Sequence, residues 1–256
     1  MTPIIHLVRH AQGYHNLSVE NQQLRDPNLT PEGEKQCDGL CSRFPSHDKI
    51  THLVASPLRR TLFTCLRSFA PVVQAGKTII ALPDAQEIST LPCDIGTDPA
   101  KLQAEFGDQV DFRLVQDGWN DKTATSKYYP SPDNLEARAR SARVWLRELV
   151  QQAGDDAQVV LVTHGGILHF LTEDWDGVKM DRGTGWANVE LRSYEFEDKS
   201  GQDPNATLKE TLSSRRGRQG REIPLTGSEQ IEISEAFKAA IIREETARLA
   251  RKNPPN

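Results

Sequence analysis

Two histidines, each set at the end of an apolar run, are the side chains best placed to do chemistry. His10 follows Ile4-Ile5-His6-Leu7-Val8-Arg9, and His164 follows Val159-Val160-Leu161-Val162-Thr163 and precedes Gly165-Gly166. A third junction, Val54-Ala55-Ser56-Pro57-Leu58-Arg59-Arg60, carries two arginines. Arginine offers a planar fork of donors that matches phosphate or carboxylate. Helix starts add free N–H groups and a positive dipole end. Anion-binding arginines beside histidines point to phosphoryl chemistry before any other. A zinc hydrolase built on His10, His15 and His164 competes with this reading, but two arginines make poor neighbours for a metal ion. His6, and more weakly His15, read as structural.

These junctions can share a site only as the carboxyl ends of neighbouring strands, where ligands bind in open α/β sheets. The pattern predicts strands over 3–8, 51–55, 78–82, 158–163 and 185–194. Between them it predicts a helix from Pro31 with Thr30 as N-cap, and a second capped by Ser56 that runs through Phe69. Further helices are expected over about 98–106, from Asp133 onward with Glu136 completing a box-like cap, and over 167–172. Strands alternating with helices imply an α/β fold: a three-layer sandwich with a mainly parallel central sheet flanked by helices. Residues 1–196 form this domain. Its stretch from about 83 to 132, punctuated by Pro83, Pro92, Pro99, Pro130 and Pro132, reads as a lid-like insertion. Residues 197–256 read as a polar linker followed by an amphipathic helix over 229–248, with Ile233, Ala236, Phe237, Ala240 and Ile241 as its apolar stripe.

Taken in order, these segments resemble the histidine phosphatase superfamily, the phosphoglycerate mutase-like proteins. Arg9-His10-Ala11-Gln12-Gly13-Tyr14-His15-Asn16 is similar to that family's Arg-His-Gly-Glu motif with its following Asn. Leu29-Thr30-Pro31-Glu32-Gly33-Glu34-Lys35-Gln36 resembles its Leu-Thr-x-x-Gly-x-x-Gln helix start. Ser56-Pro57-Leu58-Arg59-Arg60-Thr61-Leu62-Phe63-Thr64 resembles the block carrying its second pocket arginine, which falls on Arg60. Glu87 stands where the family keeps its acid, with Asp84, Asp94 and Asp98 as nearby alternatives, and Thr163-His164-Gly165-Gly166 resembles the second histidine block. Ala11 and Gln12 depart from Gly-Glu, a variant that resembles eukaryotic, including fungal, phosphatase-like members. The Glu-Arg-x-Tyr-Gly stretch of the mutases is replaced by Glu87-Ile88-Ser89-Thr90-Leu91-Pro92-Cys93-Asp94.

The resemblance implies a phosphoglycerate mutase-like fold and hydrolysis of a phosphomonoester through a phosphohistidine on His10. Arg9, Arg60 and His164 would hold the phosphoryl oxygens, and Glu87 would serve as general acid and base. Asn16, Gln12 and Gly165 would contact substrate. Neither a cofactor nor a metal is implied, and the partner is a small phosphorylated metabolite. The alternatives are a phosphoglycerate-type mutase and a non-catalytic phospholigand-binding or scaffolding protein. Trp119, Lys122, Tyr128 and Tyr129 either line the substrate mouth or pack the insertion onto the domain.

Composition narrows the classes further. The 256 residues carry 31 Lys+Arg against 36 Asp+Glu, a formal charge of −5 that argues against nucleic acid as a partner. The run Arg215-Arg216-Gly217-Arg218-Gln219-Gly220-Arg221 is basic but short, and reads as a solvated loop. Mean hydropathy is −0.57 and no apolar run has the length of a membrane span. Four cysteines without a Cys-x-x-Cys pair read as reduced thiols, and the N-terminus lacks a secretory or transit pattern, so a cytoplasmic protein is expected. The tail helix needs a surface for its stripe, either its own domain or a second copy in a homodimer.

Overall fold

The computed structural model describes residues 2–178, 184–218 and 223–252. In chain order the strands are β1 (Ile4–Arg9), β2 (His52–Ala55), β3 (Ile79–Ala81), β4 (Val110–Asp111), β5 (Gln158–Thr163), β6 (Leu191–Phe196) and β7 (Leu208–Glu210). The helices are α1 (Pro31–Arg43), α2 (Arg59–Ser68), α3 (Ala70–Gln74), α4 (Pro99–Phe106), α5 (Pro132–Ala153), α6 (Gly165–Thr172), α7 (Leu212–Gly217) and α8 (Gly227–Lys252). The seven strands form one sheet in the order β4-β3-β2-β5-β1-β6-β7. Neighbours pair in parallel except at β6, which is antiparallel to both β1 and β7.

Strand alternation divides the interior into two cores. Ile5, Leu7, Val159 and Leu161 face α5, α6 and the tail, while Val8, Val160 and Val162 face α1, α2 and α4. Because side chains alternate with period two, the unbroken apolar run of β5 covers both faces, as a central parallel strand must. The three-layer α/β sandwich expected from the sequence is the observed fold. β1 leads through α1 to β2, on the far side of β5, whereas β5 leads through α6 to β6, on the far side of β1. The two connections leave in opposite directions, the switch in strand order outside which ligands bind in open α/β sheets, here at the carboxyl ends of β1 and β5.

Local signals hold with some displacement. Thr30 caps α1, its hydroxyl accepting from the Gly33 amide at 3.0 Å, with Pro31 in the first turn. Gly33 is glycine for a close approach: a Cβ there would lie 2.1 Å from the Gln12 carbonyl oxygen, so α1 seats directly on the loop after His10. α5 is capped by Ser131, not Asp133, with Pro132 in its first turn. The backbone preceding α2 is capped by no side chain. The strand expected over 185–194 starts only at Leu191, because Val189 adopts a left-handed φ of 51° that breaks extended pairing. β4 and β7, of two and three residues, and the short α3 and α7 are too brief to give a periodic signal. β7 lies inside the stretch expected to be linker.

The tail helix docks on its own domain. Phe237 and Ile241 are buried in the core with Phe170 and Trp175, the Phe237 and Trp175 rings 5.5 Å apart. Ala236, expected in the stripe, is exposed, while Ile233 is half-buried. No described helix is long and apolar enough to cross a membrane. Phe237→Ala should destabilise the protein by about 3–5 kcal/mol, the usual cost of removing a buried aromatic. Urea unfolding reads this directly, and a loss under about 1 kcal/mol would mean that α8 is undocked in solution.

Candidate active site

Register brings the two histidines together. Arg9 pairs with Thr163 across the β1–β5 ladder, so His10 and His164 are the next residues off adjacent strands. Their ring centroids lie 5.2 Å apart, close to the ~4.8 Å spacing of paired strands. His10 is 2% exposed, and its Nδ1 lies 2.7 Å from the Ala11 carbonyl oxygen. A carbonyl only accepts, so Nδ1 carries the proton and the lone pair is on Nε2. Burial, then the Arg60 charge, hold the His10 pKa well below its ordinary value, which keeps the ring neutral. His164 is fixed as the opposite tautomer: Nδ1 accepts from Arg60 Nη2 at 3.1 Å and Nε2–H donates to Ser56 Oγ at 2.8 Å. With both His164 nitrogens engaged, no lone pair of that ring is free for a metal.

Arg60 is the buried arginine of the pair on α2, and Arg59 turns to the surface against Glu105. The Arg60 guanidinium donates to the Cys93 carbonyl at 2.6 Å and to Asp94 Oδ1 at 2.7 Å. Burial opposes the Asp94 charge, but Arg60 and then Lys122 hold its carboxyl below the usual range. Asp94 is therefore a counterion that aims Arg60, and its second oxygen accepts from Ser89 Oγ at 2.5 Å. Arg9 donates to the Trp186 carbonyl at 2.5 Å. Each arginine is held by a carbonyl, which fixes direction without cancelling charge, and Arg60 alone also has a carboxylate partner in Asp94.

Glu87 sits on the start of α6. Its carboxylate accepts from the amides of Gly166 and Ile167, each at 3.1 Å, and from Ile88 at 2.9 Å. Burial and the nearby Asp94 charge nevertheless raise its pKa. Gly166 is glycine because a Cβ there would meet Glu87 Oε1 at 2.6 Å. Lys122, 7% exposed, reaches from the insertion and donates to the Glu87 and Ser89 carbonyls at 2.7 and 2.8 Å. Burial pushes its pKa down to about 7. Arg138 on α5 is buried nearby, under the influence of Asp84 and Glu87, and none of its three guanidinium nitrogens has a hydrogen-bond partner among the described residues.

The structure thus gathers Arg9, His10, Arg60, Glu87 and His164 at the carboxyl ends of the central strands. Other expected contacts are spent elsewhere. Gln12 Oε1 accepts from the Thr30 hydroxyl at 2.8 Å, and Asn16 Oδ1 accepts from the Gly13 amide at 3.0 Å. The room beside Gly165 is filled by Thr184, whose hydroxyl donates to the Gly165 carbonyl at 3.1 Å. Trp119 and Tyr128 are buried packing residues of the insertion. His15 lies against His10 with ring centroids 5.3 Å apart, and burial and Arg60 depress its pKa to about 3. The basic run is not a solvated loop: Arg215 and Arg218 pair with Glu210 and Asp174 at 3.1–3.5 Å, near-buried. Arg221 lies outside the described residues. Lys122 and Arg138 carry no motif that fixes a role, although a charged residue such as Arg138 inside the apolar spacing of α5 is a usable warning.

His10, His15, His164 and His169 all have pKa values below the ordinary 6.5, with His15 near 3 and His169 near 4. The unfolded chain protonates these rings below about pH 6.5 while the native state does not, so stability is lost as pH falls from there towards 4. Glu87 and Asp26, whose pKa values are raised, work in the opposite sense. Unfolding free energy from urea titrations should drop by about 2 kcal/mol or more between pH 7 and 4.5. A flat profile would mean the rings are not held neutral.

The sequence model described as "Histidine phosphatase superfamily (branch 1)" matches residues 5–203. "Phosphoglycerate mutase-like protein 1" of Arabidopsis thaliana is 30% identical over 250 residues, covering 79% of this chain and 85% of that protein. Among solved structures, the ecdysone phosphate phosphatase of Bombix mori aligns with a TM-score of 0.54 at 16% identity, covering 88% of this chain and 94% of the other. A mycobacterial glucosyl-3-phosphoglycerate phosphatase aligns at 0.51 and 18% identity, covering 82% and 97%. At such identities the structures speak for the fold alone, a mixed and mostly parallel sheet flanked by helices. The sequence match runs through every strand up to β6 and all five motif blocks, and on that ground the chain belongs to the histidine phosphatase superfamily.

Proposed function

We propose that the protein is a metal-independent phosphomonoester hydrolase that works through a phosphohistidine on His10. The observation that carries this reading is the His10 ring: its Nδ1 proton is committed to the Ala11 carbonyl, which leaves a neutral Nε2 as nucleophile in a crevice walled by guanidinium groups. Nε2 attacks phosphorus in line as the ester P–O bond breaks, and one hard displacement becomes two easier ones. Arg9 and Arg60 supply donors and positive charge to the phosphoryl oxygens, and the ring of His164 joins them as a neutral donor once its N–H leaves Ser56; such electrostatic stabilisation does most of the work in phosphoryl transfer. Asn16, Gln12 and Gly165 would have to exchange present contacts for substrate ones.

Glu87 gives its proton to the leaving alcohol oxygen and then takes one from the attacking water, whose oxygen bonds to phosphorus as Nε2 departs. Its raised pKa favours the acid form before the first step. The amides at the start of α6 stabilise the carboxylate between the two proton transfers. Arg9 and Arg60 both bring guanidinium charge to bear on His10, a surrounding suited to a phosphate dianion. The substrate class in this reading is a small phosphorylated metabolite, and the phosphoenzyme transfers its phosphoryl group to water instead of to a second sugar-acid hydroxyl.

The test is turnover of p-nitrophenyl phosphate with EDTA present. His10→Ala should lower kcat by at least ~1,000-fold with the fold intact, because the nucleophile is lost. Residual activity comparable to that of the unaltered protein would overturn the assignment. Glu87→Gln should slow an alkyl phosphate such as glycerol phosphate ~100-fold while slowing the activated aryl ester far less. Since the acid form of Glu87 is needed, kcat on the alkyl phosphate should fall as pH rises past the Glu87 pKa, and Glu87→Gln should flatten that limb. Equal losses on both esters would move the acid elsewhere.

A further inference from the structure

The inward face of α8 reads Phe237, Ile241, Glu245, at four-residue spacing, with Arg248 one turn beyond. The first two side chains enter the apolar core, but the third is a carboxylate that is only 6% exposed. A buried carboxylate persists only where partners replace its water. Glu245 has two: the hydroxyl of Thr90, which donates to Oε2 at 2.7 Å, and the guanidinium of Arg248. Arg248 Nη1 also donates to Thr90 Oγ1 at 2.7 Å. The one hydroxyl of Thr90 is thus both donor and acceptor to the tail helix, and no hydrogen-bonding role of its O–H is left idle.

Thr90 is three residues beyond Glu87, on the same loop. That loop is held by its carboxylate on α6, by its carbonyls on Lys122, and by Ser89 on Asp94. We infer that Glu245 and Arg248 are positioning residues for catalysis: by clamping Thr90 they make α8 the outer anchor of the loop that presents Glu87. The inference rests on Glu87 being the acid. Proton transfer needs hydrogen-bond reach between the carboxyl and the leaving oxygen, so a loop freed on one side loses rate with substrates that need the proton. The tail of this chain is then a working part of the site through Thr90.

Thr90→Val removes the hydroxyl at constant shape, and Thr90→Ser restores it. Glycerol phosphate and p-nitrophenyl phosphate are the substrates, and thermal unfolding checks that each variant folds. Thr90→Val should lower kcat for glycerol phosphate ~10-fold and for the aryl ester less than ~3-fold, with KM within about twofold, because only acid placement changes. Thr90→Ser should recover most of the loss, and Glu245→Gln should reproduce it if Thr90→Val folds poorly. The proposal is overturned if Thr90→Val and Glu245→Gln slow both esters equally, or neither, while Glu87→Gln still discriminates between them. Should Glu87→Gln itself not discriminate, the acid assignment fails and this proposal falls with it.

Discussion

Desolvated positive charge is the constraint around which this molecule is arranged. Arg60, Lys122 and Arg138 are withdrawn from water at one end of the sheet, and each stripped cation costs several kcal/mol unless partners replace its hydration. Burial accordingly lowers Lys122 to about 7 and Arg138 to about 10. Most of the replacement is dipolar. Arg9 faces the Trp186 carbonyl, Arg60 the Cys93 carbonyl, and Lys122 the carbonyls of Glu87 and Ser89. Dipoles orient the cations and leave their charge available, whereas a full set of carboxylates would neutralise it. Asp94 is the exception, and it also fixes the direction of Arg60 towards His164.

The same crowding sets the character of the histidines. An imidazole among guanidinium groups, out of water, resists protonation, so His10 and His164 stay neutral. Their tautomers are then dictated by partners: a carbonyl for His10, and an arginine with a serine for His164. Ser56, often the start of a helix in such a junction, is here a hydrogen-bond acceptor for a ring from another strand. It can do so because Ser56 N is held by the Val162 carbonyl, which keeps the ends of β2 and β5 level.

The loop that carries Glu87 is where separate parts of the chain converge. The domain contributes α6, the insertion contributes Lys122, and the tail contributes Glu245 and Arg248. None of these contacts follows from local sequence, since the donors lie 33 to 158 residues from their acceptors. The segment before β6 is similar: Asn188 Nδ2 donates to the His10 carbonyl at 2.9 Å, and Trp186 holds Arg9. Stretches that look like plain connectors therefore hold the residues at the end of β1, and the polar 197–218 stretch supplies a strand and Glu210, which together with Asp174 pairs Arg215 and Arg218.

The alternation of strands and helices, the three carboxyl-end junctions, and the placing of His10, His164 and an Arg-rich helix start at them can all be read along the chain. These are legible because period-two and period-3.6 apolar patterns, capping residues and punctuating glycines act within a few residues of each other. Arg59 and Arg60 illustrate the limit: adjacent and chemically identical, they are separated only by helix rotation, which buries one on Asp94 and sends the other to Glu105. Only long-range packing made Asp94 a counterion, set Lys122 against the loop that carries Glu87, turned Gln12 and Asn16 to local contacts, and brought the tail to Thr90. Each of these depends on which distant groups share a desolvated space, and the energy of a buried charge is set by its neighbours in that space, not by its neighbours along the chain.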